Sequence, residues 1–432
     1  MINIISRLES IRTKKYVIYL FFISLFIRLS YGLIYFSIFK SSNFDDDWTY
    51  VDYAHKFLEQ GIFIPDISQI KELTLSLPPA FPSIIAFNFL IFGENYLPLI
   101  IINAILSAFV SVLIFYIARF LFNNKVAIMA SLWSLIYVYF IRWVPFLLKE
   151  NWLQFVFPLV VLILFYISKE KKYFPKIILL SFIFAFLIHL DERYFVYYPV
   201  IALGLIYLDS NNIKAGLKKA SIFILLVFVF MIPWLVRNYI VFKKPVIISE
   251  RTAVFTDKIF GYETKNTAPM EIQISNETLD SIRRGQNIYD ITLQNELNRG
   301  IKYGLIPYRY SPLKKAFVDF KEFWRPFRFS PMFVSEGFRS EEPWSLKHNM
   351  SIMLTYGILL PFFFIGLFFV IKEKNKYAMF IIFIMLIHTL IHTTVLLSQY
   401  RYRIPIDAFV IIFSFYGIFK LFNKKVTPVE NK

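Results

Sequence analysis

Phe44-Asp45-Asp46-Asp47-Trp48-Thr49-Tyr50 comes just after the apolar run Tyr16–Phe39, and the junction of the two decides the fold. A hydrocarbon core of about 30 Å is spanned by roughly 20 apolar residues, so the run is long enough to cross a bilayer. It is too long for a signal-peptide core and no small-residue cleavage site follows it, so it reads as a retained helix. Similar windows recur. Hydrophobic residues are 57% of the 432 positions and charged ones 18%, whereas a soluble domain alternates polar and apolar positions over shorter stretches. The chain reads as an all-α polytopic membrane protein with an acidic patch where its first helix leaves the bilayer. Such a patch suits recognition or chemistry at a membrane surface rather than a pore.

Ten spanning helices are expected, at about 16–39, 97–121, 126–143, 151–168, 174–190, 195–208, 220–242, 351–371, 377–397 and 402–422. Their connections alternate in charge. One set carries Arg7, Arg12, Lys14 and Lys15, then Lys125, the run from Lys169 to Lys176, then Lys214, Lys218 and Lys219, Lys372, Lys374 and Lys376, and finally Lys420, Lys424 and Lys425. The excess of basic residues assigns that side, and both termini, to the cytoplasm. Phe81–Phe92 is apolar but short and bracketed by Pro78, Pro79, Pro82 and Gly93. If it crossed, the Lys169–Lys176 cluster would face outward, so it is expected to lie in the interface or re-enter. Segment 48–60 places Trp48, Val51, Ala54 and Leu58 near one helical face, as expected of a helix in the headgroup region. The chain divides into a membrane core over 1–242 with its first outer loop at 40–96, an outer segment 243–350, and C-terminal helices within 351–432. No internal repeat of the kind that builds many transporters is evident.

Four further stretches fall in order on the outer side. Pro78-Pro79-Ala80-Phe81-Pro82 follows the acidic loop, and Glu150 stands in the second outer connection beside Lys149. Pro233-Trp234-Leu235-Val236-Arg237-Asn238-Tyr239 ends the seventh expected helix, and Arg401-Tyr402-Arg403-Ile404-Pro405 opens the tenth. With Asp46-Asp47-Trp48-Thr49-Tyr50, Ala54 and Gly61, the set resembles the GT-C glycosyltransferases. Its closest branch there holds the protein O-mannosyltransferases and the lipid A aminoarabinose transferase, a family 39-like group. The resemblance covers about 240 residues of the membrane core plus the last helix. It implies a GT-C-type fold and transfer of a sugar from a polyprenyl-phosphate donor to a glycan, lipid or protein acceptor. Undecaprenyl phosphate is the expected carrier in a bacterial source.

The chemistry fits those residue types. A phosphate-linked sugar already has a good leaving group, so one carboxylate accepting the acceptor's proton suffices. Hydrolysis of an ordinary glycosidic bond would call for a pair. The leaving phosphate calls for cations, arginine above all, because its planar fork binds two oxygens. By its spacing to Tyr50 and Ala54, Asp46 matches the family's base position; as a helix N-cap it would serve structure as well. Asp47 and Glu150 complete the candidate catalytic carboxylates, Glu150 being equally a surface partner of Lys149. Arg237 and Arg403 are the phosphate candidates, with Arg401 and Lys149 behind them, and Asp407 lies one turn from Arg403 as its partner. Each arginine could instead snorkel to lipid headgroups. Tyr50, His189, Asp191, Glu192 and Arg193 are candidates for acceptor or sugar contact, with packing or a polar turn as the plainer alternatives.

His388 and His392 are i, i+4, a spacing that can bind a metal, but without an evident third ligand they read as a helix-packing pair. A divalent cation on the outer acidic cluster stays open, and no cofactor is assigned. Arg28 falls near the middle of the first helix and must face protein or water. Cysteine is absent, which excludes thiolate metal sites and nucleophiles; no Walker loop, dinucleotide fingerprint or HExxH motif is found. The net charge of +17 matches cytoplasmic loops over anionic membrane lipid, with no nucleic-acid partner. Two rival readings are an O-antigen polymerase or ligase, which would rest on loop arginines and histidines, and a transporter or flippase of lipid-linked sugars.

Overall fold

The computed structural model describes residues 13–39, 47–60, 77–170, 172–209, 212–242, 246–249, 312–326, 346–395 and 400–422. Asp45, Asp46, Gly61 and most of segment 243–350 lie outside them. The chain begins with α1 (Thr13–Phe39), α2 (Asp47–Gln60), α3 (Ala80–Phe92), α4 (Leu97–Leu121), α5 (Asn124–Trp133) and α6 (Val138–Arg142). It continues with α7 (Glu150–Lys169), α8 (Phe174–Leu190), α9 (Tyr197–Leu208) and α10 (Ile213–Phe242). Last come α11 (Pro312–Trp324), α12 (Leu346–Thr355), α13 (Leu360–Glu373), α14 (Lys376–Leu390) and α15 (Ile404–Phe422). No strand occurs among the described residues.

Seven of the ten expected crossings appear as helices long and apolar enough to span alone. The other three are shorter. α8 has 17 residues, α9 has 12 and is preceded by a 3-10 turn over Glu192–Val196, and the expected helix 126–143 is broken into α5 and α6. Two of the three are nevertheless carried along longer neighbours. Along α1, the Tyr16 hydroxyl meets Ser131 at 2.8 Å, Arg28 donates to the Ser134 carbonyl at 2.9 Å, and Tyr35 packs on Phe146 at 5.2 Å. Segment 124–147 therefore runs alongside α1 from end to end. Likewise Lys376 donates to the Leu208 carbonyl at 2.9 Å and His388 meets the Tyr197 hydroxyl at 2.7 Å, so 192–208 runs antiparallel to α14.

A broken helix in a bilayer leaves carbonyls that water cannot reach, so side chains must take them. Ser107 of α4 donates to Phe140 O, and Asn103 donates to Val144 O at 3.2 Å and Phe146 O at 3.0 Å. Asn151 donates to Trp143 O at 2.6 Å. Arg28, fully buried, finds no carboxylate; its guanidinium donates to Ser107, Ser24 and Ser111 as well as to Ser134 O. Those contacts employ all five of its N–H groups on neutral oxygens.

The C-terminal helix is the hub: 83% of the α15 apolar window is buried, against 22% for α1, whose other faces are left to lipid. α15 meets α13 through glycines, since a methyl at Gly366 would lie 2.0 Å from Phe413 O and one at Gly417 2.3 Å from Phe362 O. Small residues allow such backbone contact where no hydrophobic drive between helices exists. α2 and α3 pack on each other, with Tyr50 edge-on to Phe81 at 5.0 Å. α3 leaves Phe87, Leu90, Ile91 and Phe92 exposed, an apolar face fit for the interface.

Candidate active site

Apart from Arg28, the charged groups of the described bundle gather toward its two ends. One end is lysine-rich: Lys219 pairs with Asp209 at 2.6 Å and donates to Ile167 O, and Lys420 pairs with Glu373 at 2.6 Å. The other gathers most of the residues singled out from the sequence.

There Asp191 ends α8, where its carboxylate accepts from the Arg193 amide at 3.1 Å and pairs with the Arg193 guanidinium. Lys149 adds a second cation at 2.9 Å. Burial alone would raise the Asp191 carboxyl, but Arg193 and Lys149 together hold it well below the usual carboxylate range. Arg193 also lies over the Tyr402 ring at 4.1 Å. Glu150 opens α7, where the helix N-terminus favours a negative charge. Its Oε1 is 3.6 Å from Arg401 Nε, while its Oε2 is buried with no hydrogen-bond partner among the described residues. Asp47 reaches across to the broken segment, its Oδ2 accepting from Leu147 N–H at 3.2 Å. The first turn of α2 is thereby tied three residues before Glu150.

The Pro-Trp motif at the end of α10 does structural work as well. Trp234 Nε1 donates to Ile248 O at 3.0 Å and Asn238 Nδ2 to Val246 O at 2.9 Å. Side chains one helical turn apart rise about 6 Å, and alternate carbonyls of an extended segment are spaced about 6.6 Å. The match lets Val246–Ser249 run back along α10. Between the two donors, Arg237 stacks on Trp234 at 4.7 Å, and His189 faces the same indole edge-on at 6.4 Å. His189 Nδ1 donates to Ala185 O at 2.7 Å, which leaves Nε2 as the ring's acceptor. Glu192 accepts from Ser249, fixing the returning segment to the site.

Two expectations are revised. Arg403 does not join the cluster: it is fully buried, donates to Asp407 Oδ1 and Phe323 O at 2.8 Å each, and lies 3.6 Å from the Tyr356 ring centre. The partnership with Asp407 is present and holds the guanidinium inside the protein, with Nη2 making no hydrogen bond among the described residues. Tyr50 is buried with its ring on Phe81, in a packing position. Asp46 lies outside the described residues. Sequence reasoning passed over Arg142, buried in α6 and within electrostatic reach of Tyr31 and Tyr35, as Asp47 is of Tyr35. Among the described residues no three His, Asp or Glu side chains converge as a metal-ligand set.

Residues 76–236 match the family model described as dolichyl-phosphate-mannose-protein mannosyltransferase. The match includes the proline-rich segment, Glu150 and the start of the Pro-Trp motif, and leaves the acidic loop and Arg401–Pro405 outside it. No curated protein sequence matches the chain significantly. Among solved structures it is similar to the oligosaccharyltransferase of Archaeoglobus fulgidus. The apo form aligns at 12% identity and a TM-score of 0.56, over 95% of this chain and 51% of that one. The complex of that enzyme, AglB, with an inhibitory peptide and a dolichol-phosphate aligns at 13% and 0.53, over 96% and 51%. The crystal form with zinc and sulfate aligns at 12% and 0.53, over 94% and 49%. The chain spans about half the length of these structures. It therefore has the GT-C fold, carries over residues 76–236 the sequence pattern of the dolichyl-phosphate-mannose-protein mannosyltransferases, and bears out the resemblance that its motifs pointed to.

Proposed function

We propose that this protein transfers a sugar from a polyprenyl-phosphate donor to a hydroxyl of a surface glycan, lipid or protein. The reaction takes place at the Glu150 end of the bundle, which the lysine-rich opposite end turns away from the cytoplasm. The observation that carries the reading is the charge cluster at that end. Lys149, Arg193, Arg237 and Arg401 stand there among Asp47, Asp191, Glu150 and Glu192, within and beside the stretch that matches the mannosyltransferase pattern. Buried cations at the depth of lipid headgroups suit a phosphate whose charge grows as the sugar leaves.

In the reaction the acceptor oxygen bonds to the anomeric carbon while the bond from that carbon to the phosphate oxygen breaks. The acceptor's proton passes to a carboxylate, and the carrier leaves as its phosphate. Asp46 is the base, the residue before the Asp47 that accepts from the Leu147 amide. Glu150, with one oxygen unpartnered, orients the acceptor. Arg401, Lys149 and Arg237 receive the phosphate. Tyr50 and His189 border the site and Arg193 stiffens it through Asp191. A divalent cation, as in the zinc-and-sulfate form of the archaeal enzyme, would need ligands beyond the described set, and no step here is routed through one. The Arg28 cage weakens the transporter reading, because its donors are all engaged by the protein.

Cells lacking the gene, complemented with wild type, Asp46→Asn or Glu150→Gln at equal membrane levels, test this by mass spectrometry of surface glycans and lipid-linked sugars. Wild type should restore a one-sugar mass increment, and Asp46→Asn should not. Full restoration by Asp46→Asn removes the base assignment. Movement of lipid-linked sugar without any covalent increment removes the transferase reading.

A further inference from the structure

His388 and His392 stand on successive turns at the site end of α14, and the fold accounts for only the first. His388 Nε2–H donates to the Tyr402 carbonyl and its Nδ1 accepts from the Tyr197 hydroxyl, both at 2.7 Å, so a neutral ring is fully used. His392 is 3% exposed and makes no hydrogen bond among the described residues, and its Nδ1 is wholly enclosed. The ring stacks on Tyr402 at 5.1 Å and on Phe323 at 6.0 Å and lies tilted to the His388 ring at 4.6 Å. Nε2, which is not enclosed in this way, is the edge atom left to meet a ligand. The backbone around it, Ile391–Val395, is a π-helical turn, a form that concentrates at functional sites.

A buried polar edge without a partner destabilises the fold, and a phenylalanine would fill the same stack without that penalty. The neighbours show what the edge could serve. The Tyr402 ring under His392 also carries Arg193, and Arg193, Asp191 and Lys149 all act electrostatically on His392. Those cations suit a phosphate. An imidazole nitrogen, which can either donate or accept, suits a hydroxyl, which does both.

We propose that His392 recognises the sugar of the lipid-linked donor through a hydrogen bond from its ring edge to a sugar hydroxyl; the inference rests on the polyprenyl-phosphate reading above. It makes His392 a specificity-determining residue, distinct from the cations that hold the phosphate.

Purified wild type, His392→Phe and His392→Gln would be compared for binding of undecaprenyl phosphate and of mannosyl phosphoundecaprenol, together with thermal unfolding. Phe keeps the stack and removes the nitrogens; Gln restores a polar atom near Nε2. His392→Phe should melt at the wild-type temperature or above and bind bare undecaprenyl phosphate normally. It should bind the mannosyl lipid about threefold to tenfold more weakly, the worth of one hydrogen bond. His392→Gln should recover part of that loss. Equal weakening toward both lipids would place His392 on the phosphate and overturn the proposal, as would no weakening toward either. Wild type binding the two lipids alike leaves no sugar contact to make and overturns it too. Wild type binding neither is a separate result that removes the polyprenyl-phosphate reading itself. If Phe does not fold, His392→Leu gives the same comparison.

Discussion

Arg403 and Asp407 form an ion pair with neither side chain exposed, and breaking it from either side should have unequal and differently pH-dependent effects. Removing one partner of a buried pair costs about 3–5 kcal/mol, because the remaining charge is left in a poor solvent. The two orphans differ in how they respond. An arginine does not give up its proton, so Asp407→Asn leaves a fixed positive charge between Tyr356 and Tyr139 at any workable pH. An aspartate can neutralise itself. From an ordinary pKa of about 3.9, protonation at pH 7 costs about 4 kcal/mol and at pH 5 about 1.5 kcal/mol, which caps the penalty for Arg403→Met. The deficit capped by that cost is absent below about pH 4, where the carboxyl is already protonated in the unfolded chain, and grows as the pH rises.

Thermal unfolding in detergent micelles at pH 5 and pH 7 measures this. Asp407→Asn should lose roughly 5–10 °C at both pH values. Arg403→Met should lose a similar amount at pH 7 and less than half of it at pH 5. The double variant Arg403→Met/Asp407→Leu should recover most of the loss, since hydrophobic replacement of a buried pair is often neutral. Asp407→Asn as stable as wild type would refute the caged pair. The double variant also separates structure from catalysis: if it folds and still transfers sugar, Arg403 is not a donor ligand, and if it folds but is inactive, the phosphate role first read from the sequence returns.

Two further outcomes follow from the geometry. Gly366→Ala or Gly417→Ala should lower the amount of folded protein recovered from membranes and cost at least 2–3 kcal/mol in thermal stability, on the order of a strained core substitution, because each added methyl meets a backbone carbonyl that cannot rotate away. Asp191, held well below the usual carboxylate range by Arg193 and Lys149 against its burial, contributes stability above about pH 4 and loses it only as the pH falls through its depressed value. Its contribution should stay flat between pH 7 and pH 5, and below about pH 4 the thermal unfolding temperature of Asp191→Asn should fall less steeply with acid than that of wild type.

Apolar length and loop charge were legible in the sequence, because spanning a bilayer and holding lysines on one side are constraints on composition. The break in 126–143 was not, although its signals were there. Pro145 lies just beyond, and polar residues stand out in the flanking apolar helices. Asn103, Ser107 and Ser111 recur every fourth residue on α4, as Ser24 and Arg28 do on α1, so each set forms one stripe. A polar stripe inside a membrane helix announces a neighbour with unpaired backbone. Read together, the two stripes would have named both the broken segment and the partners of Arg28.

The two arginines of Arg401-Tyr402-Arg403 show why site residues are harder to read than helices. Both arginines read as phosphate candidates, Arg403 ahead of Arg401, and in an extended loop alternate side chains share a side. The chain instead makes a 3-10 turn over Tyr400–Arg403. At three residues per turn each step rotates about 120°, which sets Arg401 and Arg403 about 240° apart. Arg401 is thereby turned toward Glu150, and Arg403 toward Asp407 in the first turn of α15. Tyr402, between them, turns its ring to Arg193 and His392 and its carbonyl to His388. One tripeptide therefore supplies a candidate phosphate ligand, a stacking platform and a buried tie to the hub helix, a division that depends on turn geometry and is invisible to residue type.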